Sequence, residues 1–139
     1  MHSPATIDFC LVCDDLRLET ANKVTILGFY GLLPRVRIIL QEWGRPIDRI
    51  AFLVSTHGAT QPYSAQLKIV NPNGSTLVSS PNTRVESIGD PTNSSAVAFG
   101  FPMLTFQHQG EHKIEVLIDG IKAYESTFIA QSSRPTVKI

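Results

Sequence analysis

Cys10 and Cys13 have the Cys-x-x-Cys spacing that clamps zinc when it sits on a knuckle loop. Tetrahedral zinc needs a second ligand pair, and His108 and His112, with His-x3-His spacing, flank a Gln-Gly turn far along the chain. Both cysteines fall in an alternating apolar run. An odd separation on a strand sends side chains to opposite faces. The expected reading is two free thiols, one on each face, with no metal and no cofactor.

Asp14, Asp15 and Arg17 form the most distinctive polar cluster. Adjacent carboxylates serve acid/base chemistry only where their environments pull their pKa values apart. At a strand end the simpler role is structural: Asp caps backbone N–H groups in the turn and Arg17 neutralises one of them. Ser55 and His57 share a strand face, with Asp48 and Asp90 as conceivable orienters. No nucleophile elbow, glycine-rich phosphate loop or paired-carboxylate motif surrounds them, so no catalytic residue is assigned.

Arg35, Arg37, Arg45 and Arg49 gather around Trp43, the only tryptophan. Arg35 and Arg37 project to the same side of their strand, so this stretch is the candidate ligand- or partner-binding face. It would suit nucleic acid, an acidic protein loop or a phosphate-bearing ligand. Glu42 and Asp48 lie in the same stretch as competing partners for the arginines.

Composition narrows these choices. Twelve basic and twelve acidic residues cancel, so the basic excess of a typical nucleic-acid binder is missing. Charged residues make up 17% of the chain, against about 25% in an average domain. A low charge count goes with β-rich proteins or with a surface meant to be covered by a partner. The start lacks a signal-peptide pattern, the apolar runs are strand-sized, and two cysteines make no disulfide framework. The expectation is a cytoplasmic protein with no membrane contact, folded as one domain over residues 1–139.

Period-two alternation dominates and no window keeps a helical period. Ile7, Phe9, Leu11 and Cys13 share one face of a first strand, followed by a polar loop over 14–22. Val24 and Ile26 mark a second run and Val36, Ile38 and Leu40 a third. Residues 49–56 are apolar on both faces, which suits a central strand. Tyr63, Ala65, Leu67 and Ile69 point inward from a fifth run. Asn71-Pro72-Asn73-Gly74 is a turn whose register sets Ile69 opposite Leu77. Val97, Phe99, Phe101 and Met103 share a face, and Pro102 marks an edge or a bulge. A three-residue loop, Ile118-Asp119-Gly120, keeps Ile114 and Tyr124 facing each other at the end. About eight short strands with regular turn signals predict an antiparallel two-sheet β-sandwich of immunoglobulin-like type.

The opening Asp8-Phe9-Cys10-Leu11-Val12-Cys13-Asp14-Asp15-Leu16-Arg17, followed by Lys23-Val24-Thr25-Ile26-Leu27-Gly28-Phe29-Tyr30, resembles the start of a family of small bacterial proteins of unknown function. Val70-Asn71-Pro72-Asn73-Gly74 and Gln109-Gly110-Glu111-His112-Lys113-Ile114-Glu115-Val116 with Ile118-Asp119-Gly120 are similar to it as well. The resemblance implies a cytosolic bacterial β-sandwich and supplies no activity, ligand or catalytic residue. The expected function is that of a non-catalytic module that binds another protein of unknown identity. Binding of nucleic acid or another anionic ligand through Arg35–Arg49 and Trp43 is the alternative, and hydrolysis comes third. Oligomeric state is not legible.

Overall fold

The computed structural model describes residues 4–20, 23–86 and 94–133. Ten strands are formed among them: β1 (Thr6–Leu18), β2 (Val24–Leu32), β3 (Arg37–Leu40), β4 (Ile47–His57), β5 (Tyr63–Val70), β6 (Thr76–Ser79), β7 (Thr83–Val85), β8 (Ser94–Leu104), β9 (Gly110–Ile118) and β10 (Ile121–Ser132). They build two packed sheets, one ordered β2-β1-β4-β8 and the other β3-β10-β9-β5-β6, with β7 also paired to β5. All pairings are antiparallel except β3 with β10, which run parallel because the chain crosses between sheets after β2. No helix long and apolar enough to cross a membrane occurs among the described residues.

Strand alternation places the core between the sheets. The four-stranded sheet contributes Cys10, Val12, Ile50, Phe52, Val54 and Phe99; the larger one contributes Leu67, Ile69, Ile114, Val116, Ile118 and Phe128. Burying each large side chain contributes about 1.5–3 kcal/mol. Phe52 packs edge-on to Phe101 at 5.9 Å, and Phe106 packs edge-on to Phe128, also at 5.9 Å. The expected inward set of β5 is buried throughout, and β4 is central, between β1 and β8. β8 lies on an edge, where a proline costs no ladder hydrogen bond.

Five details differ from the sequence reading, all but the first through a local irregularity. β1 runs on to Leu18, so Asp14, Asp15 and Arg17 lie in a strand and not in a loop. A bulge between Ile7 and Phe9 separates Ile7, which packs on the main core, from Leu11 and Cys13 on the other face. A bulge after Ile69 sets that residue opposite Val78 and not Leu77. Met103 takes a φ of 53°, which turns it out to 62% exposure and lets Leu104 face inward.

The last hairpin uses a two-residue loop. Ile118 pairs with Ile121, and Asp119 and Gly120 both have positive φ (50° and 79°), as a type I′ turn requires. An extra residue at Ala123 then restores the parity, so Tyr124 pairs with Val116 and Phe128 still faces the core. The Asp119 carboxylate accepts from the Ser64 N–H at 2.9 Å, and the Asp119 N–H donates to the Ser64 carbonyl, which ties the turn to β5.

Candidate functional site

Cys10 and Cys13 are free and lie on opposite faces of β1, Cys10 in the main core and Cys13 in a small cluster with Leu11, Ala51 and Leu53. Burial pushes the Cys10 thiol up to about 12 and the Cys13 thiol up to about 11, the latter helped by the carboxylates of Asp14 and Asp15. Among the described residues no three His, Cys, Asp or Glu side chains gather as a metal site. His112 is fully buried against Phe106 and Phe128, whereas His108 is exposed.

The acidic cluster makes long-range ties. Asp15 Oδ1 receives Arg49 Nε at 2.7 Å and the Leu16 N–H at 2.8 Å. The expected partner, Arg17, instead sits opposite Thr25 in the β1–β2 ladder. Asp14 lies over Gly28, whose φ is +65°, and its carboxylate, an acceptor, acts on the Tyr30 phenol. Desolvation, with that acceptor second, raises the Tyr30 phenol to about 12.

The arginine face predicted from the sequence does not assemble. Arg37 alternates with buried Ile38 and so points out from the larger sheet, where it donates to Gln131. Arg49 alternates with buried Ile50 and points out from the other sheet, so the two guanidinium groups lie on opposite sides of the sandwich. Arg45 pairs with Glu42 at 2.9 Å in open solvent. Arg35 is exposed, and Trp43 is half-buried, stacked on Phe106 at 6.3 Å as part of the core's end. Linear proximity misled because β3 and β4 belong to different sheets.

His57 does have a carboxylate partner, but it is Asp8 and not Asp48. Its Nδ1 stands 2.6 Å from Asp8 Oδ1, and Asp8 is the bulged residue of β1. Ser94 lies across the ladder from His57, and Ser55 two residues away on the same strand. No hydrogen bond links His57 to either serine among the described residues. Asp90 lies outside the described residues.

The outstanding surface is the outer face of the four-stranded sheet. Such a face is normally polar where it meets water. Here the outward positions include Leu11, Cys13, Ala51 and Leu53, with Ala96 and Ala98 on β8. Leu16 and Val24, which lie past the last β1–β4 pair, pack on that cluster, so the distal half of the β1–β2 hairpin folds back across the sheet. A bulge opposite Val12 and Cys13 makes the bend. Between the folded hairpin and the β7–β8 side an open cleft of about 1030 Å³ remains, floored by Leu53, Ala96 and Ala98 and walled by Leu18, Val24 and Thr83–Glu86.

Exposed large apolar side chains concentrate on the β1–β2 hairpin, where Leu18 also lines the cleft. Of the nine that are exposed among the described residues, six belong to this hairpin: Phe9, Leu18, Ile26, Phe29, Tyr30 and Leu32. Phe29 is 60% exposed and Leu18 80%. The sequence reading assigned no site here, although Val24–Leu32 carries no charge at all, which was the available signal.

Together these features describe a two-sheet, immunoglobulin-like β-sandwich with one apolar outer face. A family model described as a family of unknown function (DUF6941) matches residues 46–130, more than half of the chain, and the chain belongs to that family. The matched stretch contains the Val70–Gly74 and Gln109–Gly120 motifs; the opening motifs precede it. No curated protein matches the chain. A DNA-bound alkylpurine DNA glycosylase, AlkC of Pseudomonas fluorescens, is 14% identical over 94% of this chain with a TM-score of 0.51; the DNA contains an abasic site analog. The chain spans 31% of that glycosylase, and the likeness concerns the fold alone. An immunoglobulin-like protein from Pseudomonas aeruginosa is also 14% identical, covering 91% of this chain and 95% of its own length with a TM-score of 0.32.

Proposed function

We propose that the chain is a non-catalytic protein-interaction module whose contact surface is the β1–β2 hairpin and the adjoining outer face of the four-stranded sheet. One observation carries this reading: among the described residues, six of the nine exposed large apolar side chains lie on this one hairpin, whose end borders a cleft floored in part by Leu53, Ala96 and Ala98. Contiguous exposed apolar surface rimmed by polar groups marks binding sites more often than chance placement does. Glu19, Lys23, Arg84 and Glu86 supply that rim.

The test compares wild type, Phe29→Asp and Arg37→Ala as immobilised baits against an extract of the source cells. The expected result is a protein partner held by wild type and by Arg37→Ala, lost with Phe29→Asp, and an unchanged melting curve for all three. Equal capture by all three baits would remove the hairpin from the contact surface.

A further inference from the structure

The geometry points to Asn73 as a site of spontaneous covalent modification, its side-chain amide lost to attack by the Gly74 backbone nitrogen. The site is separate from the contact surface and lies in the other sheet, in the turn between β5 and β6. Of the five asparagines in the chain only Asn73 precedes a glycine, whose missing Cβ leaves its nitrogen open to close approach. Asn71 precedes Pro72, which has no N–H to give up. Asn73, Gly74 and Ser75 are exposed, so solvent hydroxide reaches the peptide.

Ser75 activates the carbonyl that is attacked. Its N–H donates to Asn73 Oδ1 at 3.1 Å and its hydroxyl donates to the same oxygen at 2.7 Å. The backbone N–H can only donate, which fixes the end of the amide that is oxygen. Ser75 Oγ in turn accepts from Asn71 Nδ2 at 3.1 Å, and Asn71 is buried, so a fixed side chain holds the hydroxyl in place. Two donors aimed at Oδ1 stabilise the negative charge that develops there when a nucleophile adds to Cγ, as an oxyanion hole does. The ring closed by the Ser75 N–H and Oδ1 encloses the Asn73–Gly74 peptide, so the side chain is folded over the bond whose nitrogen attacks. One contact opposes the reaction. The Gly74 N–H donates to the Asn71 carbonyl at 2.9 Å, and it reacts only when that bond briefly opens.

The step balances with water alone. Hydroxide takes the Gly74 amide proton, the nitrogen adds to Asn73 Cγ, and the Cγ–Nδ2 bond breaks as ammonia leaves with a proton from water. Water then opens the resulting succinimide at either carbonyl, giving an aspartyl or an isoaspartyl residue. The chain, formally of zero net charge, becomes negative. An aspartyl carboxylate accepts from the same two Ser75 donors and preserves the turn. The isoaspartyl product puts an extra methylene into the main chain between Asn71 and Ser75, whose N–H···O bond of 2.8 Å closes the turn.

Peptide mapping of the purified full chain during incubation at mildly alkaline pH tests this, with Ser75→Ala and Ser75→Thr beside wild type. The expected result is aspartyl and isoaspartyl product at Asn73 in the native wild type. Ser75→Ala should form it about threefold to tenfold more slowly, the scale of one exposed hydrogen bond. Ser75→Thr keeps the hydroxyl and should restore the wild-type rate. In urea the hydroxyl is no longer held over Asn73, and all three chains should react alike. Asn73 that stays intact in the native chain, a native Ser75→Ala rate equal to wild type, no rescue by threonine, or the same slowing in urea would overturn the inference.

Discussion

Asp15 and Arg49, on neighbouring strands β1 and β4, meet at 2.7 Å on the outer face of the four-stranded sheet. The Arg49 guanidinium lies over Gly100 of β8, so the contact spans three strands at the foot of the hairpin. Both side chains stay partly solvated, which holds the value of the pair to about 0.2–1 kcal/mol.

Arg49→Ala should therefore lower stability by up to about 1 kcal/mol, while Arg17→Ala should be close to neutral. Urea midpoints of the two variants decide between them. An Arg17→Ala midpoint as low as that of Arg49→Ala would show that the ion pair is not what anchors the acidic cluster.

Gly28 carries a more severe constraint. At φ +65° a non-glycine residue is strained, and a Cβ there would stand 2.0 Å from an Asp14 carboxylate oxygen. Gly28→Ala should destabilise by about 1–3 kcal/mol. Adding Asp14→Ala should recover part of the loss by removing the clash but not the strain. A Gly28→Ala melting curve identical to wild type would mean that β2 shifts freely at this point.

His112 makes stability depend on pH. Its burial against Phe106 and Phe128 holds its pKa below the ordinary 6.5, with the bond between its Nδ1 and the Gly110 carbonyl opposing and His108 adding to the depression. The unfolded chain thus takes up this proton at a higher pH than the folded one. The stabilising contribution is complete above about 6.5 and declines as pH falls toward the folded value. Melting temperatures of wild type and His112→Phe should run parallel above neutrality, with wild type falling faster between about pH 6.5 and 5. Parallel curves down to pH 5 would contradict the depressed pKa.

Much of the fold was legible because one face of each strand is buried. In β5 the residues Tyr63, Ala65, Leu67 and Ile69 recur at period two, and all four are inside. Pro102 marked an edge for the reason that prolines avoid central ladders. Parity, however, cannot distinguish an odd loop from an even loop followed by a bulge, and Asp119-Gly120 with Ala123 is the second arrangement. The arginine face failed for a different reason: nearness along the chain says nothing about which sheet a strand joins. The low charge count has a local counterpart in β2, where Val24–Leu32 carries no charge and six exposed large apolar side chains lie on the β1–β2 hairpin. That surface was hidden because Ile26, Phe29 and Leu32 read equally well as core.

The two cysteines offer the sharpest contrast between a structural and a reactive role. A thiol reacts as its thiolate, and burial disfavours the charged form. Cys10 is pushed up to about 12 by desolvation, and Cys13 up to about 11 by desolvation and the nearby carboxylates. Cys13 also donates to the Asp15 carbonyl at 3.3 Å, a bond that orients the thiol within the strand. Neither is accessible, and their side chains leave β1 in opposite directions, so they cannot bridge each other or share a metal. Native protein at mildly alkaline pH should consume almost no thiol reagent, and denatured protein should consume two equivalents. Reaction of the native protein should proceed only through opening and should slow in step with added stabiliser. Rapid native labelling of Cys13 alone would show that the hairpin swings clear of the outer face, exposing Leu11, Ala51 and Leu53 along with it.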